Sequence, residues 1–154
     1  MRYITSVLII VLCVLSMISC SKEKQSTEIV GWIEDYQTAL EIAADTEKTI
    51  LVNFTGSDWC GWCMLLDEEV FSTDEFKNYA LENLVLLKID FLMNTEQPED
   101  VLTKNTELAR KYEILGFPTI ILLDKNENVI ARTGYVEGGS ENYINHLKEL
   151  QDVD

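Results

Sequence analysis

The 154-residue chain carries 27 Asp+Glu against 12 Lys+Arg, a formal net charge of −15. A surface so acidic repels phosphate backbones and anionic lipid heads, which argues against nucleic-acid binding. Its acidic residues are scattered rather than blocked and form no Asp-x-Asp-x-Asp-Gly loop, so they read as a solvated face and not as a calcium site.

Residues 1–19 have one positive charge, at Arg2, then an apolar run from Ile4 to Ile18 interrupted by Thr5, Ser6 and Ser16, then the small residue Ser19 before Cys20. This is the shape of a secretory signal peptide. The run is shorter than the ~20 apolar residues that span hydrocarbon as a helix, and no second run of that length follows. Met17-Ile18-Ser19-Cys20 resembles a bacterial lipobox, with Met17 where leucine is usual. On that resemblance Cys20 is lipidated and becomes the mature N-terminus; simple cleavage after Ser19, leaving Cys20 a stray thiol, is the alternative. Residues 21–28 are polar and have nothing to bury, so 20–28 is read as the lipidated cysteine and a flexible tether, reaching about 25 to 30 Å when stretched. Removal of 19 of the 154 residues leaves 135, with Arg2 gone and a charge of −16. That length suits a single domain, residues 29–154.

Within the domain, Ile33, Tyr36, Leu40 and Ala43 fall at helical spacing and predict a helix from about Trp32 to Ala44. Thr49 to Phe54 reads as a buried strand. A helix follows the next cysteines to about Glu69, and Ser72-Thr73-Asp74-Glu75 has the form of a capping box opening a second helical stretch to about Glu82. Val85 to Asp90 is another buried strand. Phe91 to Lys104 carries Pro98 and many polar residues and reads as a long loop, with a short helix at Thr106 to Tyr112. Ile120 to Leu123, a turn at Asp124 to Asn128, and Val129 to Thr133 form a hairpin, and Ser140 caps a last helix lined by Tyr143, Leu147 and Leu150. The pattern predicts an α/β fold with a mixed four-stranded sheet in the spatial order 85–90, 50–54, 120–123, 129–133 and helices on both faces. The strand entering the cysteines is then internal.

Of the four cysteines, Cys13 lies inside the signal and Cys20 ends it. What remains is Trp59-Cys60-Gly61-Trp62-Cys63, directly after a buried strand. With two cysteines and the single, distant His146, a tetrahedral metal site lacks ligands, so no metal and no bound cofactor are expected. A strand that turns into a helix at Cys60 sets that sulfur at the positive end of the helix dipole, which favours thiolate. Cys60 is therefore the expected attacking sulfur, and Cys63, one turn on, the resolving one. A merely stabilising disulfide is the competing reading. Closing so short a loop contributes only about 2 kcal/mol in the chain-entropy model, against about 4.7 for a 100-residue loop, which makes it a poor staple.

These features resemble the thioredoxin superfamily: Leu51-Val52-Asn53-Phe54, then Trp59-Cys60-Gly61-Trp62-Cys63, then Gly116-Phe117-Pro118-Thr119. The stretch Phe54-Thr55-Gly56-Ser57-Asp58-Trp59-Cys60 is most similar to secreted thioredoxin-like proteins and the periplasmic reductase domain of the membrane disulfide-interchange protein. The resemblance implies a thioredoxin-like fold and a cis Pro118 packed against the cysteine pair. It also implies that the Phe117 backbone can pair with a substrate peptide. The candidate substrate-contacting set is thus Trp59, Gly61, Trp62, Phe117 and Pro118; Trp59 and Trp62 either present aromatic surface or pack against the domain. Two positions depart from thioredoxin. Asn53 stands where the superfamily has a buried aspartate near the resolving cysteine and cannot titrate, and Trp62 replaces a common proline. Asp58, Asp67, Glu68 and Glu69 are expected on solvated faces, as is His146. With no cation beside the cysteines in sequence, a mildly reducing couple is expected, nearer about −270 mV than about −120 mV. The activity implied is that of a thiol:disulfide oxidoreductase of the cell envelope acting on disulfides of exported proteins and served by an electron-donor protein. It is expected to be a monomer held to the membrane by lipid alone. An oxidase or isomerase, or a non-catalytic binding module on the same fold, are the alternatives.

Overall fold

A computed structural model describes residues 31–152; the signal, Cys20 and the whole tether fall outside the described residues. Strands β1 (Thr49–Thr55), β2 (Leu84–Asp90), β3 (Thr119–Leu123) and β4 (Val129–Thr133) form one sheet in the order β2-β1-β3-β4. β1 and β2 are parallel, while β3 is antiparallel to both β1 and β4. Order, mixed character and the central place of β1 agree with the sequence expectation.

The helices are α1 (Tyr36–Thr46), α2 (Gly61–Leu66), α3 (Asp74–Asn83), α4 (Glu99–Lys111) and α5 (Gly139–Gln151). Alternation along the strands divides the core in two. Ile50, Val52, Phe54, Val85, Leu87 and Ile89 pack with Ala39, Leu40 and Ala43 of α1 and with Tyr112 just after α4. Leu51, Leu84, Ile120 and Leu122 pack on the other face with Leu66 of α2, Phe76 of α3 and Tyr143 of α5.

Several boundaries differ from the periodicity reading. α1 begins at Tyr36, because Asp35 caps it by accepting the Thr38 N–H at 2.7 Å, and Ile33 instead bridges to Leu87 at the sheet edge. α2 passes directly into a π-helical turn, Asp67–Phe71. α3 is capped by Thr73, which accepts the Phe76 N–H at 3.2 Å. The expected capping box is not made, since the Ser72 hydroxyl donates to Asp67. The largest difference is at 91–104. The loop ends at Pro98 and a 13-residue helix, α4, begins at Glu99. Pro98 is its N-cap, with its carbonyl accepting the Leu102 N–H at 3.0 Å, and Glu99 and Asp100 in the first turn with Arg110 and Lys111 in the last complement the dipole. α5 starts after Gly138 at φ 109°, with no side-chain cap; Ser140 is already inside it and donates to Glu75.

Candidate active site

β1 delivers the chain to the site. After Thr55, a turn closes when the Trp59 and Cys60 N–H groups donate to the Gly56 carbonyl at 3.2 and 2.8 Å. Cys60 then becomes the N-cap of α2, in extended backbone, and its carbonyl accepts from Cys63 and Met64. The Cys60 sulfur itself accepts the Cys63 N–H at 3.2 Å. One N–H of the first turn, that of Cys63, thus reaches this sulfur at the start of the helical run 61–71. Cys60 and Cys63 are bonded as a disulfide with Cα atoms 5.2 Å apart, and both are buried, at 7 % and 5 % exposure.

Three segments converge on Trp59, the residue before Cys60. The peptide Phe117-Pro118 is cis, as the resemblance implied. The Phe117 ring meets Trp59 edge-on at 5.9 Å between centroids and stacks on Phe91 at 5.2 Å. Trp59 Nε1 donates to the Phe91 carbonyl at 2.7 Å, so the indole joins the cysteine loop, the loop after β2 and the cis-proline loop. Asp58 reinforces this, accepting backbone N–H groups of Met93, Asn94 and Thr95 at 2.8 to 3.0 Å. Against the desolvation that raises it, these donors hold the Asp58 carboxyl below the ordinary carboxylate range. The carboxylate expected on a solvated face is an anchor.

Trp62, 60 % exposed, lies 5.4 Å from the Tyr135 ring on the far side of the motif. Tyr135 donates to Glu69 at 2.6 Å, and this bond, with desolvation, pushes its phenol up to about 12. Trp59 is itself 40 % exposed, so the residues flanking the buried Cys60 and Cys63 in the motif present aromatic surface. Gly61 presents open space, with nothing near the place a Cβ would occupy. His146 is half-buried rather than on the surface, and its Nε2 is 2.8 Å from the Thr133 hydroxyl.

Behind Cys63 lies a polar cavity of about 200 Å³, lined by Asn53, Thr55, Ser57, Cys63, Asp67 and Lys88 among others. Asn53 Oδ1 is buried there without a protein hydrogen-bond partner. Asp67 and Lys88 were not expected at the site. The parallel pairing of Asn53 with Lys88 sets both on the α2 face of the sheet, where Leu51 and Leu86 precede them. Among the described residues no group of three or more His, Cys, Asp or Glu is placed to hold a metal ion.

A dithiol/disulfide pair at the start of a helix, beside a cis-proline loop on a four-stranded mixed sheet, defines a thioredoxin-fold thiol–disulfide oxidoreductase. The thioredoxin-like domain profile matches residues 36–151, and the chain belongs to that family. It is 36 % identical over 115 residues to the disulfide bond reductase DsbH of Chlamydia pneumoniae, covering 75 % of this chain and 69 % of that protein. The solved structure of a DsbH oxidoreductase superposes with a TM-score of 0.75 at 34 % identity, covering 81 % of this chain and 86 % of the other. The thioredoxin-related protein DsbJ of the same organism is 35 % identical over 112 residues, 73 % of this chain but only 32 % of DsbJ.

Proposed function

We propose that the chain is an exported disulfide reductase, held at the membrane by a lipid on Cys20, that reduces disulfides of other exported proteins. The observation that carries this reading is the Cys60 sulfur at the N-cap of α2, accepting the Cys63 N–H at 3.2 Å. When the pair is reduced, that N–H and the start of the helix favour a Cys60 thiolate. The thiolate attacks one sulfur of a substrate disulfide and expels the other as a thiolate. Cys63 then attacks Cys60, closing the Cys60–Cys63 bond and releasing the second substrate sulfur. The substrate gains two electrons and the protein loses them. An electron-donor dithiol protein restores the pair, and no bound cofactor is required.

The exposed indoles of Trp59 and Trp62 suit an extended apolar peptide, with the Phe117 backbone and Pro118 beside it and Gly61 leaving room. Similarity to DsbH favours reduction over oxidation. Insulin reduction by wild type, Cys60→Ser and Cys63→Ser tests the assignment. Turnover is expected to vanish in both variants, with mixed disulfides accumulating at Cys60 only in Cys63→Ser. Turnover surviving Cys60→Ser overturns it, whereas a wild type with no cysteine-dependent turnover would leave a binding module. Loss of palmitate labelling in Cys20→Ser tests the anchor.

A further inference from the structure

The two indoles of the motif are held differently. Trp59 is built into the fold by its Nε1 bond to the Phe91 carbonyl and its edge on Phe117. Trp62, between the two cysteines, makes no such bond among the described residues; it is 60 % exposed and its ring partner is Tyr135, at 5.4 Å. So exposed an indole adds little to the core, and its open face stands beside the reactive sulfurs.

Tyr135, by contrast, is fixed by its neighbours. Gly134 packs so closely on the cis-proline loop that a Cβ there would stand 3.2 Å from the Pro118 carbonyl oxygen, and the Gly134 carbonyl accepts the hydroxyl of the buried Tyr143 at 3.0 Å. Val136 packs against the core, and the Tyr135 hydroxyl donates to Glu69 at 2.6 Å. The ring that backs Trp62 is therefore held between the turn after α2 and the loop on which a substrate peptide would pair.

The charges about this platform are of one sign. Glu69 accepts the phenol, and Glu137, exposed in the same segment as Tyr135, acts with it to raise that phenol. The ion pairs among the described residues engage neither carboxylate. The segments that meet here, Ser57 to Phe76, Glu113 to Asp124 and Gly134 to Leu147, contain no lysine or arginine. An indole face attracts cations through its quadrupole more strongly than other aromatic rings do, and a guanidinium also stacks flat on it.

We propose that Trp62, backed by Tyr135 and Glu69, is a cation subsite that selects substrates carrying an arginine or lysine beside the cysteine under attack. This rests on the reading of the chain as a reductase with Cys60 as the attacking sulfur, and adds to it the class of substrate preferred. The substrate cation lies on the indole face with its charge towards Glu69 and Glu137, while the disulfide reaches Cys60. Trp62 takes no part in the exchange of bonds, which stays with the two sulfurs. Tyr135 and Glu69 are positioning residues that act through the indole.

Disulfide-linked homodimers of one short peptide, with arginine, citrulline or glutamate next to the cysteine, test this. The second-order rate of their cleavage by the reduced protein is divided by the rate of the same peptide with dithiothreitol, which removes the intrinsic effect of charge on the disulfide. Any change that a variant makes in the potential of the pair cancels when two peptides are compared. Wild type is expected to prefer arginine over citrulline by about three- to tenfold, the range of a cation–π contact at a partly exposed site, and to disfavour glutamate. Trp62→Leu should abolish the preference and Trp62→Phe should restore part of it, which ties the loss to the ring. Tyr135→Leu and Glu69→Gln should each reduce it. Glu149→Gln removes the same charge from the exposed far end of α5 and should leave it unchanged. A preference that is absent in wild type, or that survives Trp62→Leu, overturns the proposal. So does an equal loss in Glu69→Gln and Glu149→Gln, which would trace it to net charge alone. Cleavage of none of the three peptides, or cleavage that survives Cys60→Ser, would instead refute the reductase reading itself.

Discussion

A Cβ built on Gly56 would overlap the Trp59 indole at Nε1 and its neighbouring ring carbons. The backbone of Gly56 lies outside the left-handed region, so Gly56→Ala should cost nothing but this clash. The ring cannot easily swing away, because Nε1 is bonded to the Phe91 carbonyl and its edge meets Phe117. Overpacking of this kind costs about 1 to 3 kcal/mol. Trp59→Ala removes a side chain that is 40 % exposed, so about 150 Å² of buried area is lost at ~25 cal/mol per Å², with a reduction for residual burial in the unfolded chain: about 2 to 4 kcal/mol. With the ring gone, alanine at 56 meets nothing. The double variant should be no less stable than Trp59→Ala, and gain up to about 1 kcal/mol from a stiffer unfolded chain. The cycle therefore predicts a coupling of about 1 to 3 kcal/mol between positions 56 and 59, read from urea unfolding of the four oxidised proteins at unchanged m. A Gly56→Ala cost that persists undiminished without the indole would refute the account of Trp59 as the pinned joint between three loops.

Three further outcomes are expected. Equilibration with glutathione should place the couple near the thioredoxin value of about −270 mV, since only backbone donors favour the Cys60 thiolate; a value above about −180 mV would refute reduction as the preferred direction. Tyr135 is raised in the folded state above its unfolded value of about 10, so its bond to Glu69 stabilises the fold below that pH and is lost as pH rises towards about 12. A difference titration against Tyr135→Phe should show the phenol ionising near 12, and Glu69→Gln should bring it down; a midpoint near 10 in wild type would discount the Tyr135–Glu69 bond. Asp58 is depressed, so the tie to residues 93–95 is complete above the unfolded carboxylate value of about 3.9 and weakens as pH falls through the lower folded value. Amide exchange of Met93, Asn94 and Thr95 should stay protected at pH 5, and early loss there would count against the anchor.

The strands were legible because each buried run is short, branched and bounded by turn residues, and because the hairpin loop Asp124 to Asn128 leaves only one antiparallel partner for β4. β1 is buried along nearly its whole length, as a central parallel strand covered on both faces must be. α4 was not legible for a specific reason. Its most buried residue is Asn105, whose Nδ2 donates to the Asp90 carbonyl at 2.8 Å and so satisfies the end of β2. A polar residue at the centre of the buried stripe breaks the apolar periodicity that would have announced the helix, and Pro98 then looks like part of a loop instead of a helix start.

The two cysteines and Pro118 could be found from sequence since their chemistry is carried by residue type and spacing. The cavity behind them could not, because it is built by register. Pairing of Asn53 with Lys88 joins residues far apart in the chain, and alternation turns both towards α2 just where the apolar rows Leu51 and Leu86 end. From the other side, Asp67 reaches the cavity as the first residue of the π-helical turn, with its N–H still bonded to the Cys63 carbonyl. Helical spacing alone puts residue 67 one turn beyond residue 63 on the same side, which is compatible with solvent or with the sulfur; only the strand pair opposite decides. The substitution of asparagine for a titratable residue at 53 was visible in the sequence; that a lysine stands opposite it on the neighbouring strand was not.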